Sequence, residues 1–389
     1  MNKVYVVECK RTPIGGFMGG LSKLSACQLG QTVVRALDID KTQIDISYVG
    51  NVLGAGTGQN IARHIMLPCG VTTPAVTVNT VCGSGMQAII EAYKTIKSGD
   101  AACAIAGGVE SMSSAPFIDR HTRRGHKLGA VSVEDAVICD GLLDMFSNEQ
   151  MGILAEKTAS VRGISRAQQD DQATHSYTRA RAAWLESKFA SEIVPVEIGG
   201  RKPCIVTEDE EVNKVPDLRE LHSLRPAFNS SGTITAGNAS TLSDGACFLA
   251  LASEEFAQAN HLTPLAEIVA VDVTAGDPNR FTEHPAVSIR NACAKANLVP
   301  TIDIDLFEVN EAFSTVPIIV AADLDVCPER MNIYGGAVAL GHPLGCSGAR
   351  IVSTLITALH NESKSIGCAS ICNGGGGASS IVVKRNGLS

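Results

Sequence analysis

Four positions in this chain join a reactive side chain to glycine-rich or turn backbone: Cys82, Asn310, His342 and Cys372. Cys82 follows the short strand-like run from Ala75 to Thr80, and after Gly83-Ser84-Gly85 the residues Met86, Ile89, Ile90, Tyr93 and Ile96 repeat at helical spacing. A thiol at a helix N-terminus meets unpaired N–H groups and a partial positive charge, which favour thiolate over thiol and make the sulfur a nucleophile. Glycines on both sides of Ser84 let a substrate approach the main chain. His342 lies in Gly341-His342-Pro343, a rigid turn that fixes an imidazole as a base for such a thiol. Cys372 precedes Asn373 and four glycines, whose N–H groups could bind a developing oxyanion. From the residues alone the chemistry is thiol-dependent acyl transfer.

The elements that must position these residues occur twice. Strand, glycine turn, helix, strand and glycine pair run from Ala75 to Gly108, and again from Asn332 through Gly335 to Gly348, a helix over Ile351, Leu355 and Leu359, and a strand from Gly367 to Ile371. Ile44-Asp45-Ile46 leading to Val49-Gly50-Asn51 lies upstream of the first copy, and Ile302-Asp303-Ile304 leading to Val309-Asn310-Glu311 upstream of the second. This is one duplication of a βαβ-type half, each a mixed sheet covered by helices. Val4 to Val7 opens the chain as a buried strand, and Ser25 with Gln28 has capping-box spacing ahead of a helix to Leu37.

Between the halves, Pro116 to Ala239 differs in composition. A basic run from Arg120 to Lys127 and an acidic run from Glu208 to Glu211 read as solvated loop faces, and Ala173, Tyr177, Ala180 and Trp184 mark a helix. The basic run has a second reading, as a neighbour of an anionic substrate group or an oligomer contact. Gly54 to Gly58 lacks the Gly-x-Gly-x-x-Gly spacing of a dinucleotide loop.

At 389 residues the chain has length for two or three domains, and 45% hydrophobic with 19% charged residues excludes a disordered chain. A net charge of -8 disfavours nucleic acid as the main partner, and the apolar runs are too short for a membrane span. Aromatics at 4% against 37 glycines suit close-packed α/β layers with tight turns. Thirteen scattered cysteines without a Cys-x-x-Cys pair disfavour a zinc ribbon or a disulfide framework, and a reducing cytoplasm is the expected compartment.

Asn79-Thr80-Val81-Cys82-Gly83-Ser84-Gly85, Asn310-Glu311-Ala312-Phe313, Gly335 through Pro343, and Cys372-Asn373 with Gly374 to Gly377 resemble, in order and separation, the four signatures of the thiolase family. Ser176-Tyr177-Thr178-Arg179 and Thr235 to Ser240 extend the resemblance to its biosynthetic branch, which condenses two acetyl-CoA to acetoacetyl-CoA. The resemblance implies a duplicated α/β fold of two five-stranded mixed sheets in an α-β-α-β-α layering. It divides the chain into an N-terminal half (1–115 and 241–264), a loop domain (116–240) and a C-terminal half (265–389).

It also implies roles. Cys82, activated by His342, takes the acetyl group, and Cys372 removes the α-proton of the second substrate. Asn310 fixes a water at the enolate oxygen beside His342, and the N–H groups of Cys82 and Gly374 hold the acetyl-enzyme oxyanion. Leu142, Met151, Phe228, Ala236, Ser240, Ala312 and Phe313 match contacts to the pantetheine arm of coenzyme A. Tyr177, Ala236, Gly237, Ala239 and Val338 match a potassium site built mostly of backbone carbonyls, and no other cofactor is implied. Gln150 stands where many members carry a histidine, Asn213 and Glu220 replace an arginine and a serine near the adenine, and Phe281-Thr282 replaces Phe-Pro. The family forms dimers or tetramers, so a tetramer made as a dimer of dimers is expected, with neither nucleic acid nor membrane as a partner. A degradative thiolase, a ketoacyl synthase, an inactive acyl-CoA-binding scaffold and a dehydrogenase are the alternative readings.

Overall fold

The computed structural model describes residues 3–200 and 202–386. Strand β1 (Val4–Arg11) leads to helix α1 (Ala26–Ala36), whose first turn is closed by the reciprocal Ser25 and Gln28 capping box. Next come β2 (Ile46–Gly50), β3 (Ala75–Val78), α2 (Ser84–Ser98) and β4 (Cys103–Ser111). The described residues between 112 and 242 add no strand to the main sheet; they hold helices α3 (Met151–Val161) and α4 (Arg166–Leu185). The first half closes with β5 (Ser243–Ser253). The second half contains β6 (Ala266–Ala275), α5 (His284–Lys295), β7 (Leu306–Val309), α6 (Thr315–Leu324), α7 (Leu344–Asn361), β8 (Ile366–Asn373) and β9 (Gly377–Arg385).

The strand orders of the two halves coincide. The first reads β3-β2-β4-β5-β1, with β2 parallel to both neighbours and the remaining pairs antiparallel. In the second half the order is β7-β8-β9-β6, with only β7 and β8 parallel. The counterpart of β3 shrinks there to one parallel bridge, Phe307 to Met331, so the second sheet has four full strands. The two sheets also meet edge to edge, where Tyr5 and Val6 of β1 pair with Glu267 and Ala266 of β6. Helices α2 and α7 pack together between the sheets, with α1 and α5 on the outer faces. Every residue of α7 from Leu344 to Leu359 is buried, the polar Ser347, Arg350, Ser353, Thr354 and Thr357 included, as befits a helix enclosed between two sheets.

Strand β4 runs three residues beyond the Gly107-Gly108 pair that the sequence suggests as its end. Both glycines are there because a methyl group would not fit: a Cβ on Gly107 would lie 2.1 Å from the Cys247 oxygen, and one on Gly108 would lie 1.9 Å from the Gly345 oxygen. The acidic run is likewise not solvated throughout. Asp209 is buried against Arg11, which also pairs with Glu192, and Glu210 accepts N–H bonds from Gly16 and Gly20, both at 2.9 Å. These contacts dock the inserted segment on the first half. The basic run from Arg120 to Lys127 is exposed, as expected.

Candidate active site

Cys82 lies at the β3–α2 turn, two residues before α2. The residue ahead of it, Val81, has φ 52, a left-handed conformation that costs a β-branched residue energy and marks a turn held by its surroundings. His342 has the equivalent position before α7, and Gly341 ahead of it has φ 104. The main-chain N–H groups of Gly374 and of Cys82 itself favour negative charge on the Cys82 sulfur. The helix end was expected to favour the thiolate, but burial outweighs it: the Cys82 thiol is pushed up to about 12, with the two N–H groups drawing it back. The resting nucleophile is a thiol that needs a base.

His342 is buried, and its main-chain N–H donates to the Thr241 carbonyl and to the Ser243 hydroxyl. Its Nδ1 lies 2.6 Å from Ser347 Oγ, while that hydroxyl donates its proton to the Pro343 carbonyl at 2.9 Å. The network therefore assigns the imidazole proton to Nδ1 and leaves the Nε2 lone pair as the acceptor. Asn310 Nδ2 lies 3.4 Å from that Nε2. Burial lowers the imidazole to about 3, with the Arg350 charge adding to the effect, so the resting ring is neutral.

Cys372 is the last residue but one of β8, buried, and its thiol is raised by burial and then by the nearby Cys82 sulfur. The turn beyond it uses glycine where the backbone demands it, with Gly375 at φ 82 and Gly376 at φ 79. Asn310, Cys372 and His342 thus come from the second half and Cys82 from the first, meeting where the β3–α2 turn faces the β8–β9 turn.

A cavity of about 420 Å³ opens onto His342, bounded by Leu142, Gln150, Met151, Phe228, Ala236, Ser240, Ala312 and Phe313. All seven pantetheine positions expected from the sequence line it. Phe228 and Phe313 meet edge to face at 6.0 Å, and Phe228 also packs beside Met151 on the cluster that includes Cys372. Ser240 donates to the Ala312 carbonyl at 2.9 Å. Asn213 and Glu220 do not line the cavity; Lys214 and Glu211, paired at 2.8 Å, do. Among the potassium candidates, Tyr177 and Val338 share one core cluster, and the buried Tyr177 hydroxyl has no hydrogen-bond partner among the described residues.

The sequence reading missed Ser347, Phe17, Met112, Thr241, Leu242 and Leu344. Ser347 sits one turn along α7 from the histidine, so helical spacing could have signalled it; the others reach the cavity only through tertiary packing.

The chain matches the thiolase N-terminal domain over residues 4–255 and the thiolase C-terminal domain over residues 262–385. It belongs to the thiolase family. An acetyl-CoA acetyltransferase of Schizosaccharomyces pombe is 44% identical over 392 residues, covering 98% of this chain and 99% of that one. The mitochondrial acetyl-CoA acetyltransferase of Danio rerio is 44% identical, covering 99% and 92%. The crystal structure of the Acat5 thiolase of Ascaris suum in complex with coenzyme A superposes with a TM-score of 0.93 at 41% identity, covering 98% of this chain and 100% of that one.

Proposed function

We propose that the protein is an acetyl-CoA C-acetyltransferase, which condenses two acetyl-CoA to acetoacetyl-CoA and coenzyme A and runs in reverse as thiolysis. The observation that carries this is one neutral imidazole lining a mostly apolar cavity, with two neighbouring thiols behind its wall: Cys82 packs in the cluster of Leu142 and Leu344, and Cys372 in that of Phe313, Phe228 and Met151. His342 Nε2 takes the Cys82 proton as the sulfur attacks the acetyl carbonyl. The oxyanion forms beside the Cys82 and Gly374 N–H groups, where one such donor is typically worth about 3 kcal/mol. Coenzyme A leaves with the Cys372 proton. The Cys372 thiolate so formed is a strong base, because its surroundings disfavour the charge, and it removes the α-proton of the second acetyl-CoA. The enolate, its oxygen near His342 and a water on Asn310, attacks the acetyl group on Cys82. Collapse of the adduct returns the His342 proton to Cys82.

Intact mass measured after mixing with acetyl-CoA tests this reading: one acetyl group on the Cys82 peptide is expected, and its absence overturns the reading. Faster thiolysis of 3-ketohexadecanoyl-CoA than of acetoacetyl-CoA would reassign the enzyme to the degradative branch. A potassium ion on Tyr177 and the carbonyls of Ala236, Gly237, Ala239 and Val338 is supported by the orphaned, buried Tyr177 hydroxyl. Neutral oxygens with few charges suit a monovalent cation, and equal activity in sodium and potassium buffers would remove it.

The quaternary reading is a dimer of dimers. It is supported by the exposed apolar Leu128, Val131 and Val133 of the hairpin between residues 117 and 135 and by the outer edge of β3, where Val76 is exposed. A monomeric mass in light scattering would end it. Thirteen unpaired cysteines, Cys204 and Cys327 exposed among them, fit action in a reducing cytoplasm, and imaging of a tagged full-length chain checks the compartment.

A further inference from the structure

We propose that the Glu110 carboxylate is a positioning residue for His342, clamping the first turn of α7 onto the first half of the chain. Glu110 is fully buried near the end of β4. Its Oε1 accepts from Asn51 Nδ2 at 2.7 Å and the Leu53 N–H at 3.2 Å, and its Oε2 from the Val52 N–H at 3.0 Å and the Gly345 N–H at 2.9 Å. Three of the four donors are main-chain N–H groups, the fourth is the Asn51 amide, and none is a cationic side chain, so this carboxylate serves mainly to hold backbone. Gly345 is three residues past His342, and Ser347, which sets the histidine proton, lies on the same turn. That turn rests directly on β4: a Cβ on Gly345 would lie 2.6 Å from the Val109 oxygen and 2.9 Å from Glu110 Oε2. Glu311 holds the approach on the other side, where its Oε2 accepts the Val338 N–H at 3.2 Å. The imidazole thus rides on a segment tied at both ends by buried carboxylates.

The duplication gives this arrangement a second support. Gly50 pairs with Gly108, and Val309 pairs with Ser370. Asn51 and Glu110 follow the first pair by one and two residues, as Asn310 and Cys372 follow the second. Glu110 therefore occupies in the first half the position that the carbon-acid base occupies in the second. One copy supplies chemistry and the other supplies the clamp. Burial raises the Glu110 acid, and the N–H groups of Val52, Leu53 and Gly345 draw it back, so the contacts that fix the turn also favour its charge.

The inference rests on the thiol and imidazole roles proposed above, and the test separates the two. In Glu110→Gln an N–H group of the amide faces main-chain donors. The expected result is a kcat lowered about 10²-fold per acetylatable site, the loss typical of misplacing a reacting group by about 1 Å, with KM for acetyl-CoA within about twofold because Glu110 itself does not line the cavity. A wild-type kcat per site in Glu110→Gln overturns the inference while leaving wild-type acetylation intact; failure of wild-type acetylation overturns the underlying roles instead. Should Glu110→Gln not fold, Asn51→Ala removes one donor and leaves three. It is then expected to lower kcat severalfold at constant KM, and an unchanged kcat overturns the inference equally.

Discussion

Replacing Ser347 by alanine removes the group that fixes the tautomer of His342 and nothing that touches the cavity. In the native site the hydroxyl accepts from Nδ1–H at 2.6 Å, leaving Nε2 ready for the Cys82 proton. Without it, the ring either keeps an unpaired Nδ1–H in a buried setting or moves the proton to Nε2, where it faces the Asn310 Nδ2 donor at 3.4 Å. Leaving a buried donor unsatisfied costs about 1–3 kcal/mol. Set against proton acceptance in the acylation step, that is a rate loss of roughly 5- to 150-fold. Rapid-quench mixing with acetyl-CoA, with acetyl-Cys82 counted by mass, reads this step separately from condensation. Acetylation of Ser347→Ala at the wild-type rate would falsify the tautomer assignment, and a loss confined to condensation would show that Ser347 serves Cys372 chemistry only.

Cys372→Ala is expected to accept one acetyl group on Cys82 and release no acetoacetyl-CoA, whereas Cys82→Ala accepts none; identical behaviour in intact-mass and product assays would undo the division of labour. His342 is held near 3 against an unfolded value near 6.5, so the unfolded chain takes up a proton that the folded chain refuses, and stability falls as pH drops through this window. Between pH 7 and pH 5 wild type should lose about 2 kcal/mol relative to His342→Asn in urea unfolding, and parallel losses would contradict a neutral histidine. Gly108→Ala sets a methyl group against the Gly345 carbonyl, and neither strand nor helix can yield cheaply. A destabilisation of about 3 kcal/mol or more is expected, read as a depressed Tm; an unchanged Tm would mean the α7 turn is not seated as described.

Much of the site was legible because its residues carry local signatures. Cys82, His342 and Cys372 each stand beside glycines that serve a left-handed turn or a close approach, and such glycines are visible in a sequence. The duplication was legible for the same reason, since its two copies repeat the same punctuation. Other features depend on partners distant in the chain. The interior glycines of β4 read as a stop because nothing local shows that α7 will press on them. Asp209 reads as surface until Arg11 buries against it. Glu110 gives no sign at all, as its donors come from residues 51 to 53 and 345. The helix-end effect on Cys82 was correctly placed but outweighed by burial, a balance that depends on how much protein surrounds the sulfur.

Cys82 belongs to one copy of the repeat and its base to the other, so the span between nucleophile and imidazole is measured across a joint rather than within a rigid body. A slight parting of the copies leaves every strand and helix intact and still starves the thiol of its proton acceptor. On heating, lost turnover is therefore expected to run ahead of lost ellipticity, making catalysis the more sensitive gauge of how tightly the two copies are closed.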